Sequence, residues 1–566
     1  MHDSRPGADP VRRDRATRAP RSTVVWFAAL LLATTLPVAA AVADYQPVGA
    51  SRVWSVAPWG DDAAPGTLDA PVRTVRFAVR VAAPGDTIEL RGGVYRETVQ
   101  VYAKALTIRS RDGERAVFDG AVVVDGFRPE SDRWVADGWT TQFHRESSGG
   151  PVANDHIVAG YPDQVFLDGR PLRQVLSLAE VMPGTFFHET DADRLWLGDD
   201  PTGRLVEASK LRWALYFNRA HGSRLENVTV RRYATEARQM GAIRAYADRL
   251  TMSGLLVEQN ARMGLSAIGR QVVITDSSFL DNGYIGVHGD RLDTFVLEES
   301  VVRGNNREGF DPFHSGAGVK VTRSRGVTVR ESDVSANGGP GVWTDLGTQF
   351  VTIVRTVLAD NRRAGIEIEL SSDVNVLSNL ALDNGEAGIW VLESQNVQVL
   401  HNASFGNVNA IEVEEGPRRD VRNVRILNNT MGDPAPGTRA VLDVNDWTAE
   451  RSARDMGVIA DHNAYWLPDG ADAPLSRWGR WPEQLAWSGD LDQHRSVTSQ
   501  GWNSVVVEPD ADANPLARAI DVLDYRGRDE LQRGAAVTGQ AAADLGIESG
   551  DIRRIGPVAP IERPGG

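Results

Sequence analysis

The residues best suited to chemistry are carboxylates set along short alternating runs. Gly341-Val342-Trp343-Thr344-Asp345 is followed by Gly365-Ile366-Glu367-Ile368-Glu369, then by Ile389-Trp390-Val391 and Ile411-Glu412-Val413-Glu414. Alternation with period two makes each run a strand whose first and third residues face a core and whose second and fourth face outward. In stacked parallel strands, spaced about 4.8 Å apart, outward residues form columns. The second-position column reads Arg244, Ser266, His288, Lys320, Trp343, Glu367, Trp390, Glu412, and the fourth-position column reads Tyr246, Ile268, Asp290, Thr322, Asp345, Glu369, Leu392, Glu414. Both columns are expected to point to solvent on one flat face. Asp345 then stacks on Glu369 with Glu367 beside it. Like charges so placed repel, so a raised carboxyl pKa, a bound cation or the nearby Lys320 has to offset them.

Such a cluster suits glycoside hydrolysis, which needs one carboxyl protonated as acid and another ionised as nucleophile or base. Asp345 and Glu369 are the expected catalytic pair, with Glu367 as substitute. Stacked carboxyls about 5 Å apart fit retention, and an offset of one more coil leaves room for an inverting water. Trp343 and Trp390 are the expected sugar platforms. His288, Asp290, Asp311, His314, Lys320 and Glu412 complete the expected substrate-binding set, Asp311 and His314 lying in an extra piece of chain beside Lys320. A second chemistry is β-elimination or C5-epimerisation of a polyuronate. It would use Lys320, one of only three lysines with Lys104 and Lys210, and a Ca²⁺ held by Asp345, Glu367 and Glu369. Few basic residues line the groove for a polyanion, and otherwise no metal or cofactor is expected. A third reading is non-catalytic: a glycan-binding or cell-envelope protein.

The elements that position these residues repeat. Asn260, Asn282, Asn305, Asn337, Asn361 and Asn384 are each followed four residues later by glycine. With Gly318 taken in the same register, the glycine steps are 22, 23, 23, 24 and 23 residues, plus an extra piece from Gly309 to Gly318. A second strand begins about nine residues on (Val327/Val329, Val351/Ile353, Val374/Val376, Val397/Val399), and a third apolar pair precedes each asparagine. Three short strands per coil, stacked in identical register, make an all-β parallel β-helix solenoid. The repeated asparagines are expected in left-handed turn geometry, with their side chains bonding along the stack, and the glycines are expected as turn punctuation.

The stretch Val56-Ala57-Pro58 … Pro65-Gly66-Thr67 … Ala70-Pro71-Val72-Arg73-Thr74-Val75 … Pro84-Gly85-Asp86-Thr87-Ile88 … Gly92-Gly93-Val94-Tyr95-Arg96-Glu97 resembles the opening of secreted right-handed parallel β-helix proteins. These form the pectin-lyase-like superfamily of polysaccharide lyases, glycoside hydrolases and uronan epimerases. The resemblance implies a right-handed solenoid, a capping helix near 72–83 and a polysaccharide-acting role. The Gly341–Asp345 and Gly365–Glu369 runs resemble the paired strands of β-helix glycosidases. Because such folds carry many reactions, the likeness is stronger for fold than for chemistry.

The remaining chain divides around that solenoid. Residues 1–43 read as a signal peptide or N-terminal anchor: an arginine-rich start, an apolar run from Val24, and Ala41-Val42-Ala43 as a cleavage pattern. The N-terminal cap and first coils take 44–125, an inserted β-hairpin module 126–212, the coils with the candidate face 213–440, and a C-terminal cap region 441–566. The tail holds Asn463, Tyr465, Trp466, Trp478, Trp481 and Trp487, read as packing residues. The expected location is secreted, extracellular or cell envelope, and the expected partner is a polysaccharide or oligosaccharide bound by a monomer. A net charge of −15 over 566 residues argues against nucleic acid. With no cysteine in the chain, disulfides and thiolate chemistry are excluded. No zinc-type histidine spacing, nucleophile elbow or phosphate loop is present.

Overall fold

The computed structural model describes residues 51–236, 240–467, 473–480, 484–507 and 535–545, all within one compact unit. Residues 1–50, with the expected signal or anchor segment, and Trp481 lie outside the described residues. Two strands of each coil join a 24-stranded sheet and the third builds a 13-stranded sheet. The expected two-strand alternation merges in places: Met263–Thr275 and Ile285–Glu298 each run through both positions as one bent strand. The helix Val75–Val81 covers the N-terminal end, its Thr74 hydroxyl accepting the Phe77 N–H at 3.1 Å.

Inward columns build the core. Val319, Val342, Ile366, Ile389, Ile411 and Leu442 stack in register and are fully buried. Each such side chain contributes about 1.5–3 kcal/mol by leaving water. Because every coil shares this core with its neighbours, no coil can bury it alone.

The asparagines form a buried ladder. Each Nδ2 donates to the Oδ1 of the next at 2.9–3.0 Å, from Asn260 through Asn282, Asn305, Asn337, Asn361 and Asn384 to Asn407. Left-handed geometry falls on the residue before, not on the asparagine: Gln259 (φ 52°), Asp281 (51°), Ala336 (53°), Asp360 (56°) and Asp383 (51°). The turn is made one residue early so that the amide can point inward. A second ladder, absent from the sequence reading, links Asn379, Asn402, Asn429 and Asn463. The repeated glycines also differ from expectation, because at most of them the requirement is space. A Cβ at Gly365 would sit 2.8 Å from the Gly388 carbonyl and 2.9 Å from Asn384 Nδ2.

Between the first coils and the main stack, chain 121–209 forms a four-stranded and a five-stranded sheet, mostly antiparallel, around Val165, Leu167, Phe186, Leu195 and Leu197. At the far end, Ser476–Arg480 pairs antiparallel with Gln484–Ser488, which stops the parallel stacking.

Candidate active site

The register places the outward columns as the alternation requires. Lys320 pairs with Trp343, Trp343 with Glu367, Glu367 with Trp390, and Trp390 with Glu412; Glu369 pairs with Leu392 and Leu392 with Glu414. The face is not open, however. Trp343 is 2% exposed, Glu367 2%, Glu412 1% and Asp290 0%. Three stretches outside the repeat period cover it. The extra piece near Pro312–His314 receives Arg363 Nη1 on the Pro312 carbonyl (3.1 Å) and Lys320 Nζ on the His314 carbonyl (3.2 Å). The turn after Glu415 supplies Arg418, and the loop before Val441 supplies Arg439.

Cations pair with the carboxylates of the cluster, two of the arginines each serving two. Lys320 Nζ lies 3.6 Å from Asp345 Oδ2 and 3.0 Å from the centre of the Trp343 ring. Arg363 holds Glu367 at 3.0 Å and Glu386 at 2.9 Å. Arg418 meets Glu369 at 2.5 Å and also pairs with the fully buried Glu393. Trp343 Nε1 donates to Glu369 Oε2 at 3.0 Å. Arg439 reaches Glu412 at 2.8 Å, while Arg477 holds the next carboxylate, Asp443, at 2.5 Å. Among the described residues, the acidic oxygens that converge closely enough for a cation belong to Glu298, Glu299 and Glu331. Asp345, Glu367 and Glu369 do not converge, so the expected Ca²⁺ ligand set does not fit this geometry.

Burial outweighs these pairings in the protonation balance. It pushes Glu367 up to about 8 against the opposing Arg363, Glu412 up to about 8 with Asp443 adding, and Glu414 up to about 7 against Arg439. It raises Asp345, helped by the charge of Glu369 and opposed by Lys320. Burial also lowers Lys320 to about 8 and His288 to about 4. Both partners of the Lys320–Asp345 pair thus shift towards neutrality, because desolvation exceeds their attraction.

A cleft of about 380 Å³ opens where the cover is incomplete, lined by Glu367, Glu369 and Glu414, by Trp390, Phe313 and Trp447, and by Arg363 and Arg418. Phe313 and Trp447 are 65% and 43% exposed. Of the expected site residues, Glu367, Glu369 and Trp390 line it. Asp345 stands outside, tied to Lys320 and to the Leu346 N–H at 2.6 Å. Trp343, expected as an open sugar platform, is roofed by the Lys320 ammonium and serves as a hydrogen-bond donor behind the cleft. His288 is buried, and Asp290 is taken by Arg323 (2.7 Å) and Thr322 (2.9 Å). Asp311 caps its own turn through the Phe313 N–H and His314 Nδ1, both at 2.8 Å, and Glu412, bound by Arg439, does not line the cleft. The sequence puts Glu414 in the fourth column and Phe313 in the extra piece beside Lys320, but carries no signal for Arg418 or Trp447, which reach the cleft from irregular loops.

A family profile described as a right-handed beta helix region matches residues 241–405 and 313–440. Pectate lyase PEL9 of Emericella nidulans is 38% identical over 72 residues, 12% of this chain, and the match spans only 18% of that relative's length. Among solved structures, XylC in complex with xylose aligns with a TM-score of 0.58 at 16% identity, covering 75% of this chain and 86% of that one. The A-module of mannuronan C-5 epimerase AlgE4 of Azotobacter vinelandii aligns at 0.41 with 14% identity, covering 69% and 88%. Stacked parallel coils and the asparagine ladder agree with that profile: residues 241–440 form a right-handed parallel β-helix, the fold that XylC shares.

Proposed function

We propose that this chain is an exported enzyme, working as a monomer without a metal, that hydrolyses glycosidic bonds of a polysaccharide or oligosaccharide. One observation carries the reading: a single cleft joins Glu369 and Glu414 with three aromatic rings. Glu414, held up to about 7, is the acid that protonates the leaving oxygen. Glu369, oriented by Arg418 and Trp343, is the base that activates water. Their strands are two rungs apart, which sets their Cα atoms about 9.6 Å apart. Two rungs of separation, wider than the about 5–5.5 Å between the carboxyls of retaining pairs, suit the inverting geometry better. Phe313 and Trp447 at the rims, with Trp390 in the wall, offer flat faces to sugar rings. The site residue expected from the sequence as partner to Glu369, Asp345, becomes a support for Lys320. The Ala41-Val42-Ala43 pattern after the apolar run supports export.

The test is Glu414→Gln and Glu369→Gln assayed on a panel of plant and microbial glycans. Loss of turnover by about 10³-fold or more in both is expected. Full turnover in either variant refutes the assignment. Glu367→Gln separates an acid role for Glu367 from a structural one.

A second reading, β-elimination or C5-epimerisation of a uronan, is favoured by Lys320, whose pKa of about 8 suits a base. Its side chain is 6% exposed beneath the extra piece, so a substrate would reach it only after that piece moves. An unsaturated product absorbing in the ultraviolet would establish β-elimination over hydrolysis, and a changed uronate composition with no chain cleavage would establish epimerisation.

A further inference from the structure

Outside the cleft, the structure brings one amine against one carboxyl in a closed space. Lys320 and Asp345 stand on neighbouring strands, Lys320 paired with Trp343 and Thr322 with Asp345. Lys320 Nζ lies 3.6 Å from Asp345 Oδ2. The Trp343 ring, with its centre 3.0 Å away, and the His314 carbonyl at 3.2 Å enclose the amine. Lys320 is 5% exposed and Asp345 7%. The other carboxyl oxygen, Oδ1, accepts the Leu346 N–H at 2.6 Å, which fixes how the carboxyl is presented. A small rotation of either side chain sets Nζ at the separation of about 3–3.5 Å from Cγ that suits attack.

The choice of residue matters, because lysine is scarce in this chain. Buried carboxylates elsewhere pair with arginine: Asp119 with Arg232, Glu367 with Arg363, Asp443 with Arg477. A guanidinium stays charged and is not a nucleophile at ordinary pH. Among the described residues, neither Lys104 nor Lys210 pairs with a carboxylate, so Lys320–Asp345 is the described place where an amine could acylate. Two charges held out of water there cost more than their attraction returns. Burial accordingly lowers Lys320 and raises Asp345, with Glu367, Glu369 and Arg418 as the other charged groups acting on the pair. A free amine and an un-ionised carboxyl can therefore meet, and an amide between them would carry no charge to desolvate.

We propose that Lys320 and Asp345 join in an intramolecular amide cross-link that ties two adjacent coils. The Nζ lone pair attacks Cγ, and the negative charge that develops on Oδ1 is met by the Leu346 N–H. A proton passes from the nitrogen to the protonated Oδ2, the Cγ–Oδ2 bond breaks, and one water leaves as the carbonyl re-forms on Oδ1. The two side chains supply every atom, so no oxidant or other reactant enters. In a chain without cysteine, the bond does for two coils what a disulfide cannot. It leaves Glu369 and Glu414 untouched, so it stands apart from the assignment of the cleft, and it removes Lys320 as a free base.

Tryptic digestion of the full folded chain followed by mass spectrometry tests this. The expected product is a branched peptide in which residues 308–323 are joined to residues 331–355, lighter than their sum by one water and uncut after Lys320. Lys320→Arg, which keeps the positive charge, is expected to yield the two segments unlinked, and its intact mass shows no missing water. The proposal is overturned if the native chain, showing a cooperative urea transition, is cut after Lys320 and releases 331–355 alone. It is equally overturned if a missing water persists in Lys320→Arg, which would place the condensation elsewhere.

Discussion

Replacing Asn361 by alanine tests the ladder that sets the coil carrying Glu367 and Glu369. The amide makes four bonds. Its Oδ1 accepts the Asn337 N–H (3.1 Å) and Asn337 Nδ2 (3.0 Å), and its Nδ2 donates to the Val334 carbonyl and to Asn384 Oδ1, both at 3.0 Å. Alanine leaves the Asn337 N–H without this partner in a site 1% exposed, where an unsatisfied group costs about 1–3 kcal/mol. Asn337 Nδ2 keeps the Val302 carbonyl at 3.0 Å, and the two acceptors keep other donors or neighbours, so the three remaining bonds contribute at the lower end of about 0.5–1.5 kcal/mol each. The expected loss is about 3–5 kcal/mol. Urea unfolding followed by tryptophan fluorescence measures it, with m checked for constancy. Asn337→Ala removes a similar four bonds, but the two sets share Asn337 Nδ2 to Asn361 Oδ1. The double variant therefore loses less than the sum of the singles. A loss below about 1 kcal/mol for Asn361→Ala, or strict additivity of the pair, refutes the reasoning that the ladder is a cooperative buried network. Arg363 follows two residues later, so the same variant is expected to loosen the Glu367 pairing and lower any activity of the cleft.

Further expectations concern charge, aromatics and backbone approach. Glu412 has a folded-state pKa of about 8, above its ordinary 4.5, so the native state binds more protons than the unfolded one across that window and stability falls as pH rises through it. Glu412→Gln is therefore expected to gain Tm relative to the native sequence from pH 5 to pH 8, and a difference that does not change with pH refutes this. Turnover in the cleft is expected to fall as pH rises through about 7, where Glu414 loses its proton; a pH–rate profile in which that limb is absent removes Glu414 as the acid. Phe313→Ala and Trp447→Ala are expected to leave urea midpoints almost unchanged, since both rings are exposed, while weakening oligosaccharide binding about threefold to tenfold by calorimetry. Gly365→Ala forces a Cβ against backbone and is expected to cost more than about 1 kcal/mol in unfolding, unlike Gly347→Ala, where nothing lies within 4 Å and only the φ of 85° opposes the change.

The period was legible because Asn and Gly each answer a need that recurs at every coil, the amide for its ladder and the glycine for close approach to the next. The reason for each was less legible. Left-handed geometry sits on chemically varied residues such as Gln259, Ala336 and Asp360, which carry no common sequence signal. Columns could be read from alternation, so Glu367, Glu369 and Glu414 fell into line. Whether a column is open depends on segments outside the period. Phe313, Arg418 and Arg439 reach the face from loops with no repeat to index them, and their coverage turned Trp343 and Lys320 from surface groups into buried support. The second asparagine ladder was visible only as a 23-residue spacing between Asn379 and Asn402, followed by irregular steps to Asn429 and Asn463.

Rung spacing has a consequence for how such a protein can change. Along the axis of a solenoid, separation between side chains comes in whole steps of about 4.8 Å. Leu392 occupies the single rung between Glu369 and Glu414. Deleting one 23-residue unit around it would rejoin both the core and the amide ladder, and would carry the two carboxyls from two steps apart to one. No point substitution can make that move, and no intermediate spacing exists. Gain or loss of a whole coil is thus the event by which this architecture could exchange one stereochemical outcome for another.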